Sequence, residues 1–216
     1  MNTQNGCVTS PVFGVPSSGG ARFEPGPPGS TPLGADEMEG LIPSWIVTRG
    51  DLDTAEQANI LDGLATRKWR HRTADQLLED LAARQLHKAM FGQVWTWAGL
   101  YRLRELNIGV DPHQVPMCVR DLMADTQTWI ASGHWTADEI GYRFHHRLVE
   151  VHPFPNGNGR HSRAMTDMLM RAMGQPVFTW GRASLDSAGA TRSAYIHALR
   201  AADGRRFDRL AAFVRS

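Results

Sequence analysis

H-P-F-P-N-G-N-G-R-H-S-R, running from His152 to Arg163, closes one helix and opens another. The proline at 153 disfavours helical backbone at His152, so the preceding helix is predicted to end near Glu150. Gly157 and Gly159 permit the positive φ angles that aim successive backbone N–H groups into one concavity. Such a nest at a helix N-terminus is an anion site, because those donors lack intrahelical partners and the dipole is positive there. Arg160 and Arg163 stand three apart in the first turn and share a face. Two guanidiniums beside a nest can grip a di- or triphosphate. His152, at the mouth, is a side chain able to take a proton from a hydroxyl near neutral pH. A base, a phosphate cradle and cations for equatorial oxygens together describe phosphoryl or nucleotidyl transfer.

Each part has a plainer explanation. A glycine-rich turn before a helix is usually only a turn, and a histidine after a helix is more often structural than catalytic. Two arginines in a first turn oppose the helix dipole, so without an anion they are odd choices there.

Outward from this run, helix signals dominate. Asp53-Thr54-Ala55-Glu56, Thr73-Ala74-Asp75-Gln76 and Thr136-Ala137-Asp138-Glu139 resemble capping boxes, each followed by apolar residues at helical spacing. Pro116 suits a first helical position, ahead of Val119, Leu122, Met123 and Ile130. A helix continues from Asn158 through Leu169, and two more are expected near 191–202 and 206–214. Between Tyr101 and Val115 the pattern turns extended, with Gly109 and Asp111-Pro112 as turn residues, and predicts a short β-hairpin. The fold class is mainly α, a helical bundle with one hairpin. Residues 1–30 hold six glycines and five prolines without apolar periodicity and are expected to be a disordered tail.

Composition narrows the function classes. Lys plus Arg (23) nearly balances Asp plus Glu (22), which favours neither a membrane nor a nucleic acid as partner. From Gly157 onward ten arginines face four aspartates, a net of +6 around the motif, which suits a polyphosphate. Two distant cysteines, Cys7 and Cys118, do not suggest a disulfide framework or a four-ligand zinc site, and a cytoplasmic location is expected. No apolar stretch is long enough to span a bilayer, and the N-terminus shows no secretory pattern. His145 and His146 are adjacent on a helix and diverge by about 100°, so a shared metal with His152 is not expected. The tryptophans at 95, 97, 129 and 180 are read as core.

His152, Phe154, Gly157, Asn158, Gly159, Arg160 and Arg163 match seven of the eight fixed positions of the Fic signature H-x-F-x-[DE]-G-N-G-R-x-x-R, and the chain resembles that family. Val94 to Gly109 is similar to the segment leading into the family's target-binding flap. Tyr195 to Asp203 is similar to its C-terminal helix, and Gly40 to Ile60 resembles the subgroup called mobile mystery protein B. The resemblance implies a Fic-type bundle over 73–216, preceded by a helical extension over 31–72. It implies a protein AMP transferase that moves AMP from ATP to a hydroxyl of a target protein, with Mg²⁺ as the expected metal and the flap holding the target by strand pairing. His152 is then the general base. Gly157, Asn158 and Gly159 form the nest, Arg160 and Arg163 grip phosphates, and Tyr195 and Asp203 line the adenine pocket. Phe154 anchors the loop. An antitoxin-like partner is compatible with the family.

Two departures matter. Asn156 stands where the family carries an acid for Mg²⁺, and an uncharged oxygen holds a hard cation more weakly. The family's inhibitory motif, [ST]-x-x-x-E-[GN], is matched only in part by Glu39-Gly40, because position 35 is alanine. Two rivals follow: phosphotransfer as in the Doc branch, against which Gly159 stands where lysine is usual, and a non-enzymatic nucleotide-binding regulator.

Overall fold

The computed structural model describes residues 31–79, 81–185 and 189–216, with the side chain of Arg70 excepted. The proline- and glycine-rich stretch over 1–30, with Cys7, lies outside the described residues.

Ten α-helices account for the described chain: α1 (Ala35–Glu39), α2 (Arg49–Ala65), α3 (Arg67–Arg70), α4 (Ala74–Leu77), α5 (Ala82–Phe91), α6 (Val115–Ser132), α7 (Ala137–Val151), α8 (Asn158–Ala172), α9 (Ala190–Asp203) and α10 (Asp208–Val214). The capping boxes at Thr73 and Thr136 form: each hydroxyl accepts from the backbone N–H three residues on. The box expected at Asp53 does not start its helix. Thr48 does so instead, its hydroxyl accepting from Asp51 N while the Asp51 carboxylate accepts from Thr48 N. That earlier start carries Glu56 from a first turn to mid-helix, where it is buried. The helix expected to run from Thr73 through Met90 is instead two, because α4 ends after one turn and α5 restarts at Ala82.

The helices pack as α2 on α5, α6 on α7, α7 on α8, and α9 on α10. One apolar core runs through α2, α5, α6, α7 and α8, with Leu52, Met90, Leu122, Phe144 and Leu169 at or near zero exposure. Each such side chain removed from water contributes about 1.5–3 kcal/mol, which makes this core the main stabilising term. Cys118 is buried in it on α6 and is not free. A second core, with Met170, Phe178, Tyr195, Leu210 and Val214, joins α8 to α9 and α10. The run from His152 to Arg163 joins α7 to α8, the two helices that contribute to both cores.

The expected hairpin is absent: among the described residues the only β pairing is an isolated bridge between Leu41 and Trp95. The physical reason is Arg102, buried despite its charge. Its guanidinium donates to the carbonyl of His152 (2.7 Å) and, within the segment, to those of Arg104 (3.0 Å) and Val110, which a hairpin ladder would otherwise use. The backbone of the segment turns toward the same loop as well, Arg102 N donating to Pro153 O and Val110 N to Val151 O. Residues 101–110 are therefore tied to the His152–Arg163 run through backbone, and to one another through the Arg102 guanidinium instead of a hairpin ladder.

Candidate active site

His152 is the residue that ends α7. It takes φ 52° and ψ 59°, a left-handed conformation that Pro153 favours over continued helix, while its N–H still reaches Leu148 O. Its ring Nδ1 lies 3.2 Å from Val149 O. A carbonyl only accepts, so Nδ1 carries the proton and Nε2 presents a lone pair. Burial, reinforced by the Arg102 cation, lowers the pKa to about 4, so the ring is neutral at physiological pH. Gly109 allows the approach of the 101–110 segment: at φ 116° a Cβ there would stand 2.9 Å from the His152 Cβ.

The loop after His152 is held from the core. Phe154 is fully buried and stacks on the His87 ring at 3.8 Å between centroids. Gly99 N donates to His87 Nδ1, so His87 Nε2 carries the proton and donates to Asn156 O. Asn158 clamps the loop with both ends of its amide, accepting from Phe154 N at 2.9 Å and donating to Phe154 O at 2.7 Å. Gly157 caps α8 at φ 76°, and a Cβ there would meet the Phe91 ring at 2.6 Å. Gly159, expected to share the positive φ, is instead helical within α8. The anion-binding character thus comes from the N-terminus of α8, whose first-turn N–H groups have no intrahelical acceptor.

This N-terminus opens on a cleft of about 1370 Å³. The cleft collects His152, Asn156 to Arg160, Arg163, Tyr195 and Asp203, so most of the residues singled out in the sequence line one wall system. Tyr195 Oη is 2.8 Å from His145 Nε2, and Asp203 Oδ1 is 2.8 Å from His146 Nε2. The adjacent histidines of α7 are thus pins that orient α9. Asp167, on the same cleft, is pushed up to about 6 by burial and accepts from Trp180 Nε1 at 3.0 Å.

Arg160 is engaged by an acid that the sequence did not flag. Its Nη2 donates to Glu56 Oε2 at 2.6 Å, and Glu56 Oε1 accepts from Trp95 Nε1 at 2.7 Å. Glu56 is 3% exposed. Glu39, the acid expected to be inhibitory, is exposed at the end of α1, whereas Glu37 in the same helix pairs with Arg104. Other residues that went unnoticed are Arg102, His87 and Thr31. Thr31 Oγ1 lies 2.9 Å from His152 Nε2, and its carbonyl accepts from Asn156 Nδ2 at 3.1 Å. The spacing T-A-E-Q does place Glu56 on the α2 face carrying Leu52 and Asn59, a signal for burial. Nothing in the order of residues ties Thr31 to a histidine 121 positions away.

Asn156 Oδ1 accepts from Gly157 N at 2.6 Å and its Nδ2 is spent on Thr31. No group of three or more His, Cys, Asp or Glu side chains among the described residues could hold a metal ion. At the position of the expected metal acid the site therefore offers a divalent cation an uncharged oxygen that already accepts one hydrogen bond, a poor fit. Nor is any helix among the described residues long and apolar enough to cross a membrane.

Residues 78–170 match the model of the Fic/DOC family. Over 98 residues, 43% of the chain, the sequence is 35% identical to Protein adenylyltransferase Fic of Drosophila melanogaster and 34% identical to that of Drosophila virilis. The chain spans about 20% of the length of each of these relatives. Among solved structures, BepC of Bartonella tribocorum, with bound AMPPNP, superposes with a TM-score of 0.64 at 14% identity, covering 84% of this chain and 97% of that one. The N-terminal Fic domain of a Bep effector from Bartonella quintana, with bound ADP, gives 0.63 at 14% identity over 80% and 86%. At such identities the likeness is one of fold. Motif, family match and fold agree, and the chain carries a Fic/DOC-family domain across residues 78–170.

Proposed function

We propose that this chain transfers AMP from ATP to a hydroxyl of a protein, with His152 as the general base. The observation that carries the reading is the neutral imidazole whose Nε2 lone pair meets a hydroxyl at 2.9 Å beside the N-terminus of α8. A base must reach the proton that it removes before its pKa matters, and this one does. The incoming oxygen attacks the α-phosphorus as His152 takes its proton, and pyrophosphate leaves. The α8 N–H groups, Arg160 and Arg163 hold the phosphate oxygens, while Tyr195 and Asp203 flank the nucleoside. The relatives named protein adenylyltransferase support the same chemistry.

Mg²⁺ belongs to this reading only weakly, since Asn156 supplies no charge, and no step above is routed through it. A target protein bearing Ser, Thr or Tyr, a cytoplasmic setting and any antitoxin-like partner belong to the same proposal. Asn156 favours one rival, nucleotide binding without transfer.

Incubation with ATP labelled at the α- or at the γ-phosphate decides among these. Transfer of α label that is lost in His152→Ala supports AMP transfer. Transfer of γ label means phosphotransfer, and binding without any transferred label means a regulator.

A further inference from the structure

We infer that Thr31 is itself an acceptor: the segment that starts at Thr31 lies in the target position of its own active site and is modified in cis. This rests on the AMP-transfer reading above. The geometry has three independent parts. Thr31 Oγ1 lies 2.9 Å from His152 Nε2. Because Nδ1 of that ring is committed as donor to Val149 O, Nε2 accepts and the Thr31 hydroxyl donates. That is the arrangement a nucleophile takes on its general base, and it is formed here without any partner protein.

The backbone around Thr31 is held as well as its hydroxyl. Asn156 Nδ2, from the catalytic loop, donates to the Thr31 carbonyl at 3.1 Å. One residue on, Arg104 Nη2 donates to Pro32 O at 3.1 Å. Arg104 is in turn fixed by an ion pair with Glu37 of α1, whose Oε2 it meets at 2.7 Å. Arg104, in the 101–110 segment that the resemblance assigns to target binding, is therefore already engaged by Pro32 and Glu37. A hydroxyl placed on the base by two anchored carbonyls gains the effective concentration of an intramolecular reactant.

The step balances without a further reagent. The Thr31 Oγ–Pα bond forms, the bond from Pα to the bridging oxygen of the β-phosphate breaks, and pyrophosphate leaves. The hydroxyl proton passes to His152 Nε2. The product carries an AMP phosphodiester on Thr31, so the hydroxyl no longer bonds the base.

The test is incubation of the full chain with α-labelled ATP, followed by peptide mapping and a pyrophosphate assay. Thr31 is expected to carry the AMP, at a first-order rate that does not change on dilution of the protein. Thr31→Ser should retain the label and Thr31→Val should lose it, with thermal melting confirming that both fold. Label on another residue with Thr31 bare overturns the assignment and leaves AMP transfer standing. So does pyrophosphate release that depends on His152 but leaves the protein unlabelled. A rate that rises with protein concentration overturns modification in cis. Absence of both label and pyrophosphate from the chain alone overturns this inference; His152-dependent label on protein acceptors then added leaves AMP transfer standing, and its absence there overturns that reading too.

Discussion

The loop from His152 to Arg163 has two sides built from the same kinds of residue and set to opposite tasks. On the core side, beneath the buried Phe154 ring, Asn158, His87 and His161 bond to backbone: Asn158 to both ends of Phe154, His87 to Asn156 O and Gly99 N, His161 Nε2 to Ala83 O. On the cleft side, His152, Asn156, Arg160 and Arg163 line open volume, and among their partners are groups of distant segments, Thr31 for His152 and Asn156 and Glu56 for Arg160. His152 and His161 are both buried and both held near a pKa of about 4. Of these two, only His152 has a ring nitrogen that reaches a hydroxyl, that of Thr31. Burial makes a histidine neutral, but what Nε2 faces decides whether it is placed to act as a base.

That contrast predicts separable losses. His152→Ala should reduce AMP transfer by about 10²–10⁴-fold, the usual contribution of a positioned base, with little change in melting temperature. Transfer that survives this substitution at the wild-type rate would remove the base from the mechanism. Phe154→Ala should do the reverse first. It empties a fully buried site under the loop and should cost about 3–5 kcal/mol of stability, read by denaturant unfolding. Activity lost without destabilisation would place Phe154 on the cleft side and break the division.

Acid should strike the core side as well. Burial lowers His145 to about 3, and His152 and His161 to about 4, all from 6.5. The folded groups are neutral where the unfolded chain takes up protons, so stability is complete above 6.5 and falls as pH drops from there toward about 4. Melting temperature against pH should show this decline, and His161→Gln should make it shallower. A wild-type curve that stays flat down to the carboxylate range would contradict the assignment of these rings as neutral.

The division also explains which features were legible in the sequence. The loop's cleft side was readable because its chemistry is carried by adjacent residues: a proline fixes the backbone at His152, a glycine turns it at 157, and two arginines share a face. The capping boxes at Thr73 and Thr136 were readable for the same reason, since their partners lie three residues apart. What failed was long-range. The hairpin was predicted from local extended character, but Arg102, buried beside the loop, drew the segment's carbonyls elsewhere. Glu56 looked like a first-turn cap acid until Thr48 started the helix, and its partner is 104 residues away. Glu39 was singled out by a partial motif and is exposed.

Glu56 offers a finer cut. It is the point where the α2 helix reaches the cleft side and occupies Arg160. Glu56→Gln keeps an acceptor for Trp95 Nε1 but removes the charge that holds the guanidinium, at a cost of about 1–3 kcal/mol of stability. Freed from that pair, Arg160 should grip phosphate better, and ATP affinity should rise severalfold by calorimetric titration. Unchanged affinity would mean that Arg160 serves α2 packing and belongs with the core side.

The smallest effect should come from Asn156, which touches both sides of the comparison. Its amide oxygen accepts from Gly157 N, which a carboxylate would do as well, but its nitrogen donates to Thr31 O, which a carboxylate cannot. Asn156→Asp should therefore do two things at once. The added charge should lower severalfold the Mg²⁺ concentration that gives half-maximal transfer, because hard cations favour anionic oxygen. The same charge, facing a carbonyl, should loosen residues 31–37 and slow modification of Thr31 relative to transfer onto other acceptors. The two readouts part company if the position is only a loop turn: an unchanged metal-activation curve rules out a ligand role, and an unchanged share of label on Thr31 rules out Asn156 as its anchor.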